Sequence, residues 1–496
     1  MPRAGRRPSY DHDVTTQSQR RVPPGRAAIA NLGCKVNQAE MDAVERLLLA
    51  RGVEIVDPRE AADLVVVNTC TVTSIADRKS RQAIRRARRN NPGARVLATG
   101  CSVEVDRATF AAIDPAARLF DNESKGRLLA ELAGLLDLPD GVPMPTMSGV
   151  EPAAGLSIPP GPGRPLDPEG AECSVEDEFE IRTAIDRKRA FVKIQDGCAF
   201  HCTYCIIPRA RGADRSVPGD TVLGEVARAV AAGHREVVLT GINAGVYSDG
   251  GLDVAGLVRR ILAETDVERI RLSSIEPQHL GGGLLEVWAA SGGRCQPHFH
   301  MPLQSGDDTI LRRMGRRYDT SSYAARVDAA RLAIPGLAIL ADVIAGFPGE
   351  DEAAWARTFA FLRGLDLAGI HVFRYSARPG TPAARMIGQV DARTRKRRAA
   401  EALALAAESR ARFAAGQVGA EMRVLFEQPL PDGRWLGHAG SHVPVAATPR
   451  DGASLENWIG LVRGVAVDPD APGRVLGELL SLHPPRIALG SAAAAQ

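Results

Sequence analysis

The chain has 496 residues, too many for one hydrophobic core and enough for about three domains of ordinary size. It carries 62 Lys and Arg against 59 Asp and Glu, so a nucleic-acid surface would have to be a local basic patch. Eight cysteines are too few for a disulfide scaffold, and no run approaches the roughly 18 apolar residues of a membrane helix, so we expect a cytoplasmic protein without a membrane anchor.

The N-terminal part of the chain alternates between short apolar runs and helical patterns. Residues 1–26 precede it; they are rich in arginine, lack the apolar segment of a signal peptide and predict a disordered tail. Over residues 27–138 we find "AIANL", a helix through "EMDAVERLLLARG", then "ADLVVVNT", a basic helix over 77–90, and "RVLATG". This order predicts an open α/β domain with a parallel sheet.

A cysteine follows each of these three predicted strands. Cys34, Cys70 and Cys101 are 36 and 31 residues apart along the chain. Because parallel α/β sheets bind ligands at the carboxyl ends of their strands, we expect the three thiols to converge at one edge.

The middle of the chain begins with a segment that has no periodicity. Residues 139–183 are dense in Pro, Gly and acidic residues and predict a linker or mobile insertion, and we interpret Cys173 within it as an incidental thiol. Residues 184–416 then contain six strand candidates separated by helical patterns: "FVKIQ", "REVVLT", "RIRLS", "PHFHM", "LAILADV" and "IHVFRY". Six βα units predict a partial (β/α)6 TIM-like barrel with its site at the C-terminal strand ends.

The C-terminal part contains short strands broken by Gly and Pro. Residues 417–482 predict a small β-barrel, and residues 483–496 a tail. Three basic stretches, "DRKSRQAIRRARR", "PRARG" and "RTRKRR", could together neutralise phosphates of a structured RNA, although each stretch alone is more often an ordinary solvated face.

A second cysteine set lies in the loop "DGCAFHCTYCIIPRARG". Cys198, Cys202 and Cys205 have C-x3-C-x2-C spacing, whereas a structural zinc site would need a fourth Cys or His, and the neighbourhood of His201 offers no second pair. Three thiolates on one loop suit a [4Fe-4S] cluster that leaves one iron free to bind a substrate. Two such sets predict two site-differentiated clusters.

These motifs together resemble the radical S-adenosylmethionine (SAM) methylthiotransferases. The stretch "CAFHCTYC" is similar to the radical SAM signature, and "NLGCKVNQAEMD", "VVVNTCTVTSIAD" and "ATGC" resemble the family's N-terminal domain, which carries a second cluster. The stretch "LGCKVNQAE" resembles the branch that acts on N6-threonylcarbamoyladenosine in tRNA, and the last segment resembles the TRAM module. The sequence departs from the family at Gly315, where an asparagine is usual, and in the long 139–183 insertion.

The resemblance implies an activity, its cofactors and its partners. The enzyme would convert threonylcarbamoyladenosine beside the anticodon, at tRNA position 37, to its 2-methylthio derivative. Its partners would be a tRNA anticodon stem-loop and an electron donor such as flavodoxin or ferredoxin. A radical SAM [4Fe-4S] cluster would cleave SAM, and an auxiliary [4Fe-4S] cluster would hold the inserted sulfur. The implied ligands are Cys198, Cys202 and Cys205 for the first cluster and Cys34, Cys70 and Cys101 for the second.

Five further residues are candidate SAM contacts. Tyr204 resembles the aromatic position whose backbone lies beside the adenine, and Gly241 would allow the methionine end to approach closely. Ser274, Glu276 and Gln304 follow predicted strands and could bond the ribose or the carboxylate. Loop packing, a strand-end turn and internal hydrogen bonds are the ordinary structural explanations for the same residues.

Three alternatives remain open. Two belong to the same family: the branch that acts on isopentenyladenosine in tRNA and the branch that acts on a ribosomal-protein aspartate, against both of which "LGCKVNQ" argues. The third is a non-catalytic, zinc-stabilised RNA-binding protein, which would leave the six βα units and the strand ends "SSIEP" and "PLQSG" unexplained.

Overall fold

The computed structural model describes residues 25–122, 124–135 and 188–483. The predicted tails and the 139–183 linker, with Cys173, lie outside these residues except for 25, 26 and 483. Among the described residues, no helix is long and apolar enough to cross a membrane.

The N-terminal domain is a five-stranded parallel sheet with helices on both faces. The strand order is β2-β1-β3-β4-β5. Val65 and Val67 pack with Ile84 on one face, and Leu64 and Val66 join the core on the other, which explains why this strand is a continuous apolar run. The strands are β1 Arg26–Asn31, β2 Glu54–Val56, β3 Leu64–Thr69, β4 Arg95–Gly100 and β5 Arg118–Phe120, and the helices are α1 Lys35–Leu49, α2 Ser74–Asn90, α3 Cys101–Val105, α4 Arg107–Ile113 and α5 Lys125–Leu135.

The central domain is an open barrel of six main parallel strands. The strands form two triplets, β12-β9-β6 and β13-β14-β15, joined by single bridges at Ile270–Cys295 and Ser274–His300. The strands in this part of the chain are β6 Arg189–Lys193, β7 Gln195–Asp196, β8 Arg215–Ser216, β9 Glu236–Thr240, β10 Ser248–Asp249, β11 Leu252–Asp253, β12 Arg269–Leu272, β13 His298–His300, β14 Ala338–Ala345 and β15 Gly369–Arg374.

Helices cover the outside of this open barrel. Their apolar side chains and alternate strand residues form one continuous core, which includes Leu257, Leu362 and Leu405. The helices are α6 Ile207–Arg211, α7 Gly219–Ala231, α8 Val254–Glu264, α9 Gly282–Ala289, α10 Asp308–Met314, α11 Thr320–Ala333, α12 Glu352–Gly364 and α13 Ala392–Ala415.

A closed five-stranded barrel completes the described chain. Its order is β16-β17-β18-β20-β19, and its core includes Val424, Phe426 and Val445. The strands are β16 Glu421–Pro429, β17 Trp435–Ala439, β18 Pro444–Ala447, β19 Ile459–Asp468 and β20 Ala471–His483. The predicted fold class is therefore confirmed: an open α/β domain, a partial βα barrel and a small β-barrel.

Candidate active site

The three N-terminal cysteines converge at the carboxyl edge of the first sheet. Thr69 of β3 lies opposite Gly100 of β4, so Cys70 and Cys101, which follow these residues, are neighbours. A side chain on Gly33 would place its Cβ 3.3 Å from the Cβ of Cys70, so the loop that leads into Cys34 lies against Cys70. The expected convergence is present in the structure.

Backbone geometry fixes this convergence at Gly100. Its φ is 101°, and a Cβ there would lie 2.3 Å from the carbonyl oxygen of Thr69, so only glycine fits between the strand end and α3. Burial, reinforced by the nearby Cys101 thiolate, raises the pKa of Cys70 to about 12. A metal must therefore displace a proton from this thiol when it binds.

The second cysteine set lies on the loop after β7. Gly197 opens this loop with φ 73°, since a Cβ would lie 1.9 Å from the Ala213 carbonyl oxygen. The amide of Cys198 donates to the Gly212 carbonyl oxygen at 3.0 Å, which closes the base of the loop. Burial is the main factor that raises the pKa of Cys198 to about 11 and of Cys205 to about 12.

The spacing of both sets argues against tetrahedral zinc. Three thiolates on one zinc ion at about 2.3 Å would place their sulfur atoms about 3.7 Å apart. Among the described residues, only His300, Asp342 and His371 bring three ligand atoms within 4.8 Å of one another, so neither cysteine set has that spacing. Among the described residues each set offers three thiols, a number that fits a [4Fe-4S] cluster with one open iron.

Arg211 reaches the first set from the end of the segment that carries the second. It ends α6, the short helix that follows the second set, and its Nε lies 3.2 Å from the Sγ of Cys101 in the first set. Its side chain has no exposed surface and pairs with Asp196 at 2.8 Å and Glu40 at 3.2 Å. The helix after the second cysteine set therefore contacts the first set through one buried guanidinium.

This placement removes Arg211 and Arg398 from the residues of "PRARG" and "RTRKRR" that could contact RNA phosphates, while Arg393 and Lys396 stay exposed. Arg211 is buried against carboxylates, and only Arg209 of that stretch is an exposed arginine. In the second stretch Arg398 is buried and pairs with Glu350 at 2.9 Å, while Arg397 pairs with acidic neighbours. Charge counting along the sequence cannot distinguish a buried ion pair from a phosphate-binding surface.

Glu276 and Tyr204, two of the candidate SAM contacts, are near the second cysteine set and share one arginine. Arg316 pairs with the carboxylate of Glu276, lies 3.4 Å from the Tyr204 hydroxyl and points its Nη1 at Cys202 Sγ, 3.3 Å away. Burial raises the pKa of Glu276 although Arg316 opposes the shift. Arg316 was not among the predicted site residues.

The stretch "RRMGRRY" contains a glycine that could have indicated where Arg316 points. Gly315 ends α10 in the left-handed conformation, with φ 74° and ψ 28°, and this turn directs the next residue back toward the cysteine loop. A Cβ on Gly315 would meet nothing closer than 3.6 Å, so the departure from the family's asparagine does not distort the loop.

The other three candidate contacts lie at strand ends, as predicted. The amide of Gly241 is 3.4 Å from Ser273 Oγ, and a Cβ on Gly241 would lie 2.9 Å from Gln195 Oε1. Ser274 Oγ lies 2.7 Å from His300 Nδ1. Gln304 has φ 71°, which is unusual for this residue type. Their contacts with SAM stay predictions, because the fold alone can also account for the contacts or backbone conformation at each position.

Comparisons with known proteins agree with this arrangement. The model of the Uncharacterized protein family UPF0004 matches residues 26–120, and that of the Radical SAM superfamily matches residues 192–362. The threonylcarbamoyladenosine tRNA methylthiotransferase MtaB of Bacillus subtilis (strain 168) is 35% identical over 427 residues, which cover 84% of this chain and 89% of that protein. The tRNA-2-methylthio-N(6)-dimethylallyladenosine synthase of Maricaulis maris is 31% identical over 459 residues, with coverage of 88% and 94%.

A solved structure shows the same fold. A radical S-adenosylmethionine methyltransferase, TsrM, from Kitasatospora setae, with cobalamin and a [4Fe-4S] cluster bound, matches with a TM-score of 0.50 and 19% identity. The match covers 72% of this chain and 74% of that one. At this identity the likeness concerns the fold alone.

Proposed function

This chain belongs to the radical SAM methylthiotransferases, in the branch of the MtaB proteins, and we propose that it converts N6-threonylcarbamoyladenosine at position 37 of tRNA to its 2-methylthio derivative. It is a radical SAM enzyme, and its family uses SAM and a [4Fe-4S] cluster. The 35% identity to a relative named for this substrate and the stretch "LGCKVNQAE" support the assignment.

The observation that carries the mechanism is the contact of Arg211, six residues after Cys205 of the second set, with Cys101 of the first set. We assign the radical SAM cluster to Cys198, Cys202 and Cys205 and an auxiliary [4Fe-4S] cluster to Cys34, Cys70 and Cys101. When bound, the first cluster supplies the electron that cleaves SAM and the second supplies the sulfur.

The chain's own residues contribute charge and position. Arg211 and Arg316 each direct a guanidinium at a cysteine sulfur, one in each set, where this positive charge would offset the negative charge of a bound cluster. Cys70 and Cys101 are buried, whereas Cys34 is exposed, so the first set opens to solvent on the side of Cys34. Glu276 is held by Arg316 beside the second set, where it can accept a hydrogen bond from a bound cofactor.

The proposed partners are a tRNA anticodon stem-loop and a small electron-transfer protein such as flavodoxin or ferredoxin, in the cytoplasm. The bases of an anticodon loop are already unpaired, so presenting one to a recessed site costs little energy. The C-terminal barrel, which resembles modules that grip single-stranded loops, and the basic face of α2 would hold the RNA.

A pair of cysteine variants tests whether the two cysteine sets have separate roles in SAM cleavage and sulfur insertion. Cys34→Ala should still cleave SAM but lose sulfur insertion, whereas Cys202→Ala should lose both, because only the second set holds the SAM-binding cluster. SAM cleavage and tRNA methylthiolation are measured separately on anaerobically reconstituted protein. Cys295→Ala, which changes a buried cysteine outside both sets, is the control. Equal loss of cleavage in Cys34→Ala and Cys202→Ala would contradict the assignment.

The substrate is tested by mass spectrometry of tRNA nucleosides. The Maricaulis relative, named for a dimethylallyladenosine product, makes the isopentenyl substrate the second candidate. Cells that lack this gene should lose 2-methylthio-threonylcarbamoyladenosine and regain it on complementation. Loss of the methylthio-isopentenyl nucleoside instead would move the enzyme to the other branch.

A further inference from the structure

One group of ligand side chains lies outside both cysteine sets, on the central barrel. Nε2 of His300 is 2.7 Å from Oδ1 of Asp342, and Nδ1 of His371 is 3.1 Å from the same oxygen. Within the described part of the chain, these three are the group whose metal-ligand atoms all lie within 4.8 Å of one another. The proposed methylthiolation assigns them no role.

The strand register brings the three together on rigid backbone. Asp342 of β14 lies directly opposite His371 of β15, and His300 of β13 lies opposite Leu340, two residues before Asp342. Side chains two apart on a strand share a face. Ile339 and other odd-numbered neighbours pack in the helix-covered core, so the three ligands face the concave side of the open barrel.

Two imidazoles and one carboxylate form a donor set typical of divalent transition metals. Metal–ligand distances of about 2.0–2.2 Å place neighbouring ligands of an octahedral ion about 2.8–3.1 Å apart, close to the 2.7 Å and 3.1 Å between Oδ1 of Asp342 and the two imidazole nitrogens. Ser274 Oγ lies 2.7 Å from Nδ1 of His300 and leaves Nε2 to face the other two ligands. Such an outer partner fixes the orientation of a metal-binding histidine.

The group is reachable from solvent. The side chain of His371 is 44% exposed, compared with 16% for Asp342, which gives an ion a path from solvent. Three protein ligands leave coordination positions open on that side.

We propose that His300, Asp342 and His371 bind one divalent transition cation, of the Mn²⁺ or Fe²⁺ type, on the concave side of the barrel. The competing explanation is an internal hydrogen-bond network in which both imidazoles donate to Asp342 without an ion. The two explanations differ in whether the protein retains a metal when its cysteines are already occupied.

Mn²⁺ is the probe, because thiolates retain it poorly and carboxylate and imidazole ligands retain it well. The holoenzyme, with its clusters loaded and oxidised, is titrated with MnCl₂ under anaerobic conditions, and free Mn²⁺ is followed by its electron paramagnetic resonance signal. One ion per chain should bind. His371→Ala and Asp342→Asn should each weaken binding at least about tenfold, since each removes a direct ligand.

His483→Ala, which changes an exposed histidine at the end of β20, is the matched control and should bind like the wild type. Iron content and the circular dichroism melting curve verify that each variant is folded. His371 is exposed, so His371→Ala decides the question if Asp342→Asn does not fold. Absence of Mn²⁺ binding by the wild type, or equal binding by the wild type and His371→Ala, would overturn the proposal.

Discussion

Arg211 belongs to a basic stretch that the sequence suggests for RNA contacts, but its side chain is fully buried. Around it, Glu40 and Asp196 are balanced by Lys125 at 2.5 Å and Lys193 at 2.7–3.0 Å. Arg211 adds a further positive charge to this buried group, and Arg215 approaches Asp196 at 3.8 Å from its edge. Because the Nε of Arg211 also lies 3.2 Å from Cys101 Sγ, this charge can partner a thiolate there.

Replacing Arg211 should therefore weaken the auxiliary cluster. In Arg211→Met the N-terminal thiolates lose their neighbouring positive charge, and we expect iron per chain to fall from about eight toward about four after reconstitution and desalting. Arg211→Lys should restore part of the loss, because it keeps the charge without the fixed fork of donors. Iron and sulfide assays with Mössbauer spectra measure the effect.

Arg209→Met is the matched control, on the same short helix. Arg209 is exposed and donates only to the Pro379 carbonyl oxygen, at 3.0 Å. Its replacement should leave iron content unchanged. Retention of full iron by Arg211→Met would show that the arginine has no influence on the cluster.

At the level of strands and helices, the sequence was most informative where apolar runs were long. β3, β4 and β9 fall within predicted strands, and β14 begins within one and ends two residues beyond it, because buried parallel strands are nearly continuous Val, Ile and Leu. β2 and β5 were missed, since each has three residues at a sheet edge and no periodicity to detect. α1 begins at Lys35, before its predicted start, because its first turn carries polar residues that contact the cysteine site.

The contact between the two barrels could not be predicted, because it depends on charges buried in different elements. Arg269 and Arg271 of β12 each pair with Glu236 of β9 at 2.7 Å. Their remaining donors reach carbonyl oxygens of the C-terminal barrel, among them that of Ala439 at 2.9 Å. Glu236 is 1% exposed, so the C-terminal barrel is attached through a buried ionic group.

Glu236→Gln should loosen this attachment. The substitution leaves two buried guanidinium groups without their carboxylate, which costs about 3–5 kcal/mol when a buried pair is broken. Urea unfolding should show that loss, and limited proteolysis should release the C-terminal barrel earlier than in the wild type. Glu478→Gln, at a 60% exposed carboxylate 3.6 Å from Arg463, should change stability by less than about 1 kcal/mol. Similar effects of the two substitutions would contradict a buried ionic attachment.

Over the full chain, motif spacing predicted which cysteines form two sets, and the fold explains why they meet. Sheet topology could be inferred for the first set, because Cys34, Cys70 and Cys101 each follow a parallel strand. The position of the first set relative to the second could not be inferred from the sequence. It depends on the packing of α3 against α6 and on one arginine buried between domains. Residues that contact another domain leave no pattern in the neighbouring sequence by which they could be recognised.

Helix α2 presents exposed basic residues on a protein whose total charge is nearly balanced. This helix begins four residues after Cys70, and its exposed residues include Arg85 and Arg86. The logarithm of the RNA-binding constant falls linearly as the logarithm of the salt concentration rises. Each arginine that neutralises a phosphate adds about 0.7–0.9 to the magnitude of this slope. Because the protein is close to neutral overall, we expect two arginines at the RNA-binding site to contribute more to RNA affinity than two arginines elsewhere on the surface.

The double variant Arg85→Ser/Arg86→Ser should bind the tRNA anticodon stem-loop more weakly and reduce the salt slope by about 1.5. Fluorescence anisotropy over a series of salt concentrations measures both quantities, and iron content verifies that the clusters are intact. The control removes Arg259 and Arg326, exposed arginines on α8 and α11, and changes the net charge by the same amount. If both double variants lose affinity equally, long-range attraction rather than binding along α2 explains the affinity; if only the first loses it, RNA lies along the helix beside the first cysteine set.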